Sequence, residues 1–373
     1  MAEPSPLGRR HFPLGALRGR LVQTIAGLLA LATLASSAIA ASPLQIYFID
    51  VEGGQSTLIV TPSRQTLLVD AGYAGEGGLL AGPGDVAKAR DPNRIFAAMR
   101  DAGVERIDYL WVTHFHRDHI GGIPELAQLV PIATFVDHGS AYPPEQRNGA
   151  NPADTLDVAA YDAYLPARAR GKHLQPKPGD RLPLRGVELT VVSANSATLN
   201  RSLRGAGDRG AGCDLAALPA TDSSAQNPRS NGFVLQLGSF RLLDLGDLSG
   251  PPLHQLACPI DRIGKVDVYL VAHHGGGDAA DPATLAAFRP RVAVVNNGTH
   301  KGGGAGTMKL LRDARDLDAW QLHVADNGGE QGAPSERIAN LDDSTAHWLK
   351  ITADETGSFR VTNGRTGVTK EYP

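Results

Sequence analysis

The chain has 373 residues and a formal net charge of −3, which is long enough for one large hydrophobic core or two smaller ones. This charge argues against a broad nucleic-acid-binding face, and the absence of an internal sequence period argues against a repeat protein. The two cysteines, Cys213 and Cys258, either pair or remain free thiols, since their spacing alone does not decide between these states.

The first forty residues are predicted to be an export signal. Arginines, among them Arg9 and Arg10, precede an apolar segment over 21–34, and small residues at 38–40 offer a cleavage site. The arginine pair also resembles a twin-arginine signal. An uncleaved membrane anchor is the alternative, although the apolar segment is short for a span.

Cleavage after Ala40 would remove four Arg and one Glu, so the remaining charge would be near −3 − 3 = −6. The domain over 41–373 is then predicted to be periplasmic or secreted, with no further segment that could cross a membrane.

The domain opens with a predicted antiparallel meander, because three short runs of β-formers are joined by tight turns. These runs cover 44–51, 56–61 and 66–70. A glycine-rich loop over 72–84 follows. A helix is predicted over 91–102, where apolar residues fall at helical spacing and Gly103 ends the pattern.

The next strand, predicted over 107–112, is an apolar run that reads as buried. A helix over 123–129 and a strand over 133–137 come after it. The remaining predicted elements are strands at 187–193, 233–237, 241–245, 266–272, 292–296 and 320–324, helices at 155–170, 282–288 and 307–317, and a last hairpin within 348–361. This order predicts an α/β fold with mixed sheets and outer helices.

Two stretches, near 140–180 and 194–230, lack a clear hydrophobic period apart from the helix at 155–170. We interpret them as loop insertions in the domain over 41–373. Long loops in compact domains are often binding loops or lids.

A cluster of metal-ligand residues directly follows the strand over 107–112. It contains His114, His116, Asp118 and His119 within six residues, and two glycines follow. Neutral imidazole and carboxylate are ligands that Zn²⁺ prefers. Four of them exceed what one tetrahedral ion with an open position needs, so two adjacent ions are predicted.

Two later apolar strands also end in ligand-type residues. One runs into Asp247 behind a glycine, and the next runs into His273 and His274. A carboxylate such as Asp247 can bridge two cations and lower their repulsion, and an imidazole can complete the second ion. The separate strand ends are therefore predicted to meet around one metal centre.

These motifs, His114-x-His116-x-Asp118-His119, Gly246-Asp247 and His273-His274-Gly275, resemble those of the metallo-β-lactamase-fold hydrolases. The stretches 48–56 and 68–72 look like the start of that fold. The double His-Gly is similar to the hydrolase domain of ComEC-type DNA-uptake proteins and their stand-alone exported relatives. The resemblance covers most of 43–325 and implies a four-layer αβ/βα sandwich with metal ions at one edge of the sheets.

The resemblance also implies a role for each residue of the motifs. His114 and His116 would hold the first ion, and Asp118 and His119 would hold the second, with Asp247 bridging the two ions.

His273 would complete the second ion, with His274 either its neighbour or the true ligand. Many family members place a third histidine of the first ion between the first motif and the bridging aspartate. In that interval this chain offers His138, which ends a strand and is preferred, and His173, which is predicted to lie in a polar loop.

The function that follows is hydrolysis by an exported, metal-dependent enzyme. Zn²⁺ is the predicted ion, with Mn²⁺ or Fe as alternatives, and it lowers the pKa of bound water from about 16 to near 7. Asp118 would orient that water and pass its proton on. The bond attacked would be an ester, amide or phosphoester in a small or anionic substrate.

Other functions remain open at this point. A phosphodiesterase or nuclease of the DNA-uptake type is one, although the negative charge and the lack of interleaved basic and aromatic residues disfavour nucleic acid. A true β-lactamase and a non-catalytic metal-binding protein are the others.

Three further residues are candidate substrate contacts. His300 and Lys301 lie in a glycine-rich loop after a strand and could hold an anionic group at the edge of the site. Asn231 precedes the hairpin that leads to Asp247, where relatives carry similar polar residues.

Overall fold

Two large sheets, one packed on the other, make up the domain in the computed structural model, which describes residues 1–2, 42–139, 142, 152–213, 225–279 and 281–373. The predicted export signal over 1–40 lies almost wholly outside the described residues, as do parts of both predicted insertions. Residues 42–373 form one compact unit. Among the described residues, no helix has the length and apolar character that a membrane crossing requires.

The first sheet has nine strands in the order β18-β17-β16-β1-β2-β3-β4-β5-β6. Its strands are β1 (Leu44–Phe48), β2 (Thr57–Val60), β3 (Thr66–Val69), β4 (Ile107–Trp111), β5 (Ile132–Val136), β6 (Lys172–Leu174), β16 (Leu349–Ala353), β17 (Phe359–Asn363) and β18 (Thr369–Tyr372). The predicted opening meander is confirmed, since β1, β2 and β3 pair antiparallel.

The second sheet has the order β15-β14-β13-β12-β11-β10-β8-β7, with β9 paired to β8. Its strands are β7 (Arg181–Leu182), β8 (Glu188–Ala194), β9 (Ala197–Thr198), β10 (Gly232–Leu237), β11 (Phe240–Asp244), β12 (Val268–Leu270), β13 (Val292–Val295), β14 (Asp318–His323) and β15 (Ile338–Asn340). The predicted hairpin is β10–β11, which pair antiparallel.

Helices cover the outer face of each sheet. In chain order they are α1 (Arg90–Asp101), α2 (Arg117–Ile120), α3 (Ile123–Leu129), α4 (Pro152–Arg168), α5 (Gly250–Gln255), α6 (Pro282–Phe288) and α7 (Ala305–Asp313). Apolar side chains of α1, α3 and α4 pack on the first sheet, and those of α5, α6 and α7 pack on the second.

A third apolar cluster fills the space between the two sheets, with Phe48, Trp111 and Phe233 among its members. Alternation along each strand divides the side chains between the layers. In β1, for example, Phe48 faces the partner sheet while Tyr47 faces the helices. The four-layer αβ/βα sandwich is therefore confirmed.

Parallel pairing brings several strand ends to one edge of the sandwich. Strands β3 to β6 are parallel in the first sheet, and β11 to β15 are parallel in the second. The carboxyl ends of parallel neighbours share an edge, which is where α/β sheets bind ligands. The predicted metal ligands follow β4, β11 and β12 at these ends.

A disulfide joins Cys213 and Cys258, whose Cα atoms are 5.7 Å apart. It closes a loop with a sequence separation of 45. Replacing both cysteines with serine should lower the free energy of unfolding by about 2 to 4 kcal/mol, because the cross-link restricts the unfolded chain. Urea unfolding of the oxidised parent and the variant measures this difference, and equal midpoints would show that the cross-link contributes no stability.

Candidate metal centre

The first motif is folded as a tight turn that enters a short helix. Strand β4 ends at Trp111, and helix α2 begins at Arg117, with the N–H groups of His119 and Ile120 both donating to His116 O. The turn lies against a second loop, since a Cβ on Gly54 would be 2.3 Å from Asp118 O. Glycine at 54 is therefore required for the motif to fit.

The segments that follow β11 and β12 also approach the 114–119 turn, and both contain residues with left-handed backbone. Gly246, just before Asp247, has φ +55°, and a Cβ there would be 2.6 Å from Thr113 Cβ. His273 and His274 have φ of 48° and 53°. Left-handed backbone costs a non-glycine residue roughly 1–2 kcal/mol, and such strain concentrates at functional sites.

Hydrogen bonds hold this strained pair in place. The His273 N–H donates to Gly246 O at 3.0 Å, and Gly303 N–H donates to His274 O at 2.8 Å. These hydrogen bonds join the His273–His274 segment to the residues after β11 on one side and to the glycine-rich loop after β13 on the other.

One group of metal donors, which we call group two, contains Asp118, His119, Asp247 and His274. His119 Nε2 lies 3.2 Å from Asp118 Oδ2 and 3.3 Å from Asp247 Oδ2. His274 Nε2 lies 3.2 Å from each of the same two oxygens. All four side chains are buried.

A second group, which we call group one, contains His114, His116 and Asp247. His114 Nε2 lies 2.9 Å from His116 Nδ1 and 3.7 Å from Asp247 Oδ2. Asp247 therefore belongs to both groups. Three protein donors leave a fourth tetrahedral position for water or substrate, which is the pattern of catalytic zinc sites.

The donor spacing of group two fits a tetrahedral ion. Zn–N and Zn–O bonds of about 2.0–2.1 Å place ligand atoms about 3.3 Å apart, and the four separations above are 3.2 or 3.3 Å. Moreover, His119 Nε2, His274 Nε2 and Asp247 Oδ1 are buried without a hydrogen-bond partner among the described residues. Buried polar atoms are costly unless something satisfies them.

The charge states of His114 and Asp247 suit ligation, whereas the carboxylates of Asp247, Asp118 and Asp70 outweigh burial and raise the pKa of His119 well above its usual value. Burial, with His119 and His116 nearby, holds the pKa of His114 well below its usual value, so this imidazole is neutral at pH 7. Burial would raise the pKa of Asp247, but the surrounding His119, His274 and His273 outweigh it and hold that pKa well below the usual range. Neutral imidazole and ionised carboxylate are the forms that bind metal.

His138 and His273 lie outside both groups. His138 follows β5 as predicted, but its ring packs 4.2 Å from the Phe115 ring and its Nε2 lies 3.2 Å from Gln226 Oε1. Burial lowers the pKa of His138 to about 4. His273 Nε2 is 3.8 Å from Asp247 Oδ2, and its Nδ1 is 2.7 Å from Asp278 Oδ2.

Another histidine of that interval, His173, lies in β6 and not in a loop, because β6 adds a parallel strand next to β5. Its Nε2 is 2.8 Å from Asp137 Oδ1. Among the described residues, group one therefore contains no third imidazole.

The three candidate substrate contacts are placed very differently. Lys301 forms an ion pair with Asp118. His300 is exposed, with its Nδ1 2.7 Å from Asp326 Oδ2. Asn231 is fully buried and donates from Nδ2 to Val112 O at 2.9 Å. Its side-chain amide therefore joins the start of β10 to the segment that follows β4.

Asp70 is a site residue whose role the sequence did not reveal. Its Oδ2 lies 2.7 Å from His119 Nδ1 and accepts from Thr113 Oγ1 at 2.6 Å, and its Oδ1 accepts from Thr113 N at 2.8 Å. A carboxylate behind a ligating histidine fixes the tautomer and orientation of the ring. The segment Val69-Asp70-Ala71-Gly72 was visible as part of the fold, but nothing local indicates that Asp70 reaches His119.

Replacing Asp70 with asparagine should weaken metal binding about 10- to 100-fold, the usual effect of losing such a partner. Competition of the protein with a metal-chelating dye measures the affinity. Asp101→Asn, which removes an acid that contacts Tyr47 and Lys350, is the control. Equal affinities in Asp70→Asn and the parent would refute an orienting role.

A family model described as the metallo-beta-lactamase superfamily matches residues 49–192, which confirms the resemblance to that superfamily but not the finer one to ComEC-type proteins. The matched part includes the 114–119 turn and ends before Asp247 and His274. The sequence matches no curated protein.

The solved structures that the chain is similar to include the metallo-beta-lactamase fold protein YhfI from Bacillus subtilis, which is 11% identical with a TM-score of 0.42 over 75% of this chain and 96% of that one. A diphosphatase from the PhnP family is 11% identical with a TM-score of 0.37, over 83% and 97% of the two chains. CmlA, a diiron beta-hydroxylase from Streptomyces venezuelae, is 13% identical with a TM-score of 0.36, over 68% of this chain and 44% of CmlA. This chain therefore spans less than half of CmlA.

Proposed function

We propose that this chain, which matches the metallo-β-lactamase superfamily over residues 49–192, is a metal-dependent hydrolase with a dinuclear centre. The observation that carries the proposal is the position of Asp247, whose carboxylate is shared by group one and group two. A shared carboxylate can bridge two cations, and paired cations are a common arrangement for activating water.

In this proposal His114, His116 and Asp247 hold one ion, while Asp118, His119, Asp247 and His274 hold the other. Bound metal would supply a hydroxide near neutral pH and would polarise the bond under attack. The mixed nitrogen and oxygen donors suit Zn²⁺, and they also accept Mn²⁺ or Fe. His274 replaces His273 as the proposed ligand, because its Nε2 lies within 3.2 Å of both carboxylates.

Three side chains at the centre have further proposed roles. Asp118 is proposed to orient the attacking water and to take up its proton, in addition to its place in group two. Asp70 holds the His119 ring. Lys301 adds a positive charge beside Asp118 and remains our proposed contact for an anionic group of the substrate.

The bond hydrolysed is proposed to be an ester, amide or phosphoester in a small molecule. Purified protein should be assayed with nitrocefin and with bis-p-nitrophenyl phosphate, each with and without EDTA. Turnover of either substrate that EDTA abolishes and Zn²⁺ restores supports the proposal. Turnover of the phosphodiester alone would favour the nuclease-like alternative.

His116→Ala is the matched test of the centre, with His347→Ala, a histidine outside both groups, as control. We expect the first variant to lose about one ion per chain and most of its activity, and the second to keep both ions and its activity. No turnover by the parent despite two bound ions would favour a non-catalytic protein, and no bound metal would end the proposal.

We further propose that residues 1–40 direct export, on the basis of the arginine-rich start and the apolar segment that follows. Cell fractionation of the full chain, with mass spectrometry of the first residue, tests this. Recovery of intact chain from the cytoplasm would refute it.

A further inference from the structure

Lys301 places a positive charge beside group two of the candidate metal centre. Its Nζ forms an ion pair with Asp118 Oδ2. The same oxygen lies 3.2 Å from His119 Nε2 and from His274 Nε2, so the ammonium group is at the carboxylate oxygen that faces the imidazoles of group two. Among the residues that the structure describes, Lys301 is the only lysine or arginine paired with Asp118 or Asp247.

The backbone keeps Lys301 within reach of Asp118. The loop after β13 is closed by Gly298 N–H, which donates to Lys301 O at 2.9 Å. It also packs closely on the loop after β1, since a Cβ on Gly53 would lie 2.8 Å from Lys301 Cβ. These contacts therefore fix the position of the Lys301 backbone beside group two.

The Lys301 side chain is also partly open to solvent. The Lys301 side chain is 35% exposed, whereas the side chains of group two are at most a few per cent exposed. The centre of the Tyr73 ring lies 5.9 Å from Nζ, a distance at which an aromatic face attracts a cation. Because its side chain is partly exposed, Lys301 can leave Asp118 for solvent.

We propose that Lys301 competes with metal for Asp118 and so weakens ion binding at group two. An ion there needs the oxygen that the ammonium group contacts, and two cations a few ångströms apart repel strongly where water is excluded. Binding of the second ion then requires Lys301 to leave Asp118. The inference rests on the proposed function, because it assumes that both groups bind metal.

The number of donors alone would favour the opposite order of affinity. Group two offers four protein donors and group one offers three, so without Lys301 group two should be the tighter site. The lysine is expected to reverse that order, so that group one fills before group two in two distinguishable steps. Removal of the charge at 301 should affect group two specifically.

The test isolates group two by disabling group one. Zn²⁺ is titrated calorimetrically into His116→Ala and into the double variant His116→Ala/Lys301→Met. Methionine keeps the length of the side chain and removes its charge. We expect the double variant to bind Zn²⁺ at least tenfold more tightly, and Lys301→Gln in place of Lys301→Met to have the same effect.

Two controls separate charge from other effects. Lys301→Arg keeps the positive charge and should retain the weak binding, and Lys309→Met, at an exposed lysine paired with Asp313, should change nothing. Circular dichroism checks that each variant is folded. Unchanged or weaker Zn²⁺ binding in both neutral variants at 301 overturns this inference but leaves the proposed function intact, whereas no Zn²⁺ binding by the parent overturns both.

Discussion

Replacement of Asp247 with alanine is expected to remove nearly all hydrolysis and to lower the metal content from about two ions per chain to fewer than one. The physical reason is that its carboxylate is shared by both donor groups, whereas every other donor serves one group. Loss of a partner behind a ligand already costs about 10- to 100-fold, so loss of a shared ligand should cost at least about 100-fold in kcat/KM. Elemental analysis after dialysis and steady-state kinetics measure both effects.

Asp247→Asn keeps the volume of the side chain and should act in the same direction, since a neutral amide does not balance the charge of two cations. Asp313→Ala is the control, because Asp313 is exposed and pairs only with Lys309 and Arg312 among the described residues. Retention of two ions by Asp247→Ala would show that the carboxylate bridges nothing.

The second large effect is expected from a comparison of two adjacent histidines. His274→Ala should lose about one ion per chain and most of the activity, because His274 Nε2 lies 3.2 Å from both Asp118 and Asp247. His273→Ala should keep two ions, because His273 Nε2 is 3.8 Å from Asp247 and its other nitrogen is bound to Asp278. Metal analysis of the two variants gives the answer.

The two variants are well matched controls for one another. Both histidines have left-handed backbone, with φ of 48° and 53°, so alanine at either position meets a similar conformational cost. If His273→Ala lost the ion and His274→Ala kept it, the ligand assignment would be reversed.

Most of the fold could be predicted because its signals are local. Strand β4 is an apolar run that ends directly before the histidine turn, and helix α6 spans the predicted 282–288. Strands of two or three residues, such as β7 and β9, were missed because so short a segment shows no alternation. The edge strand β18 was missed because three of its four residues are exposed and polar.

The candidate centre could be predicted in outline for a different reason. Each donor follows an apolar strand, and parallel strands bring their ends to one edge of a sheet. The sequence could not show whether His273 or His274 is the metal ligand, because this depends on the left-handed backbone of both residues, which no sequence pattern predicts. The contact of Lys301 with Asp118, 183 positions apart in the chain, depends on the packing of one sheet on the other.

The most direct measurement is a crystal structure of Zn²⁺-loaded protein with anomalous scattering recorded at the zinc edge. Two peaks are predicted about 3.5–4 Å apart, one among His114, His116 and Asp247 and the other among Asp118, His119, Asp247 and His274. Asp247 should contact both peaks. The absence of any anomalous peak at Asp247 in fully loaded crystals would contradict the account.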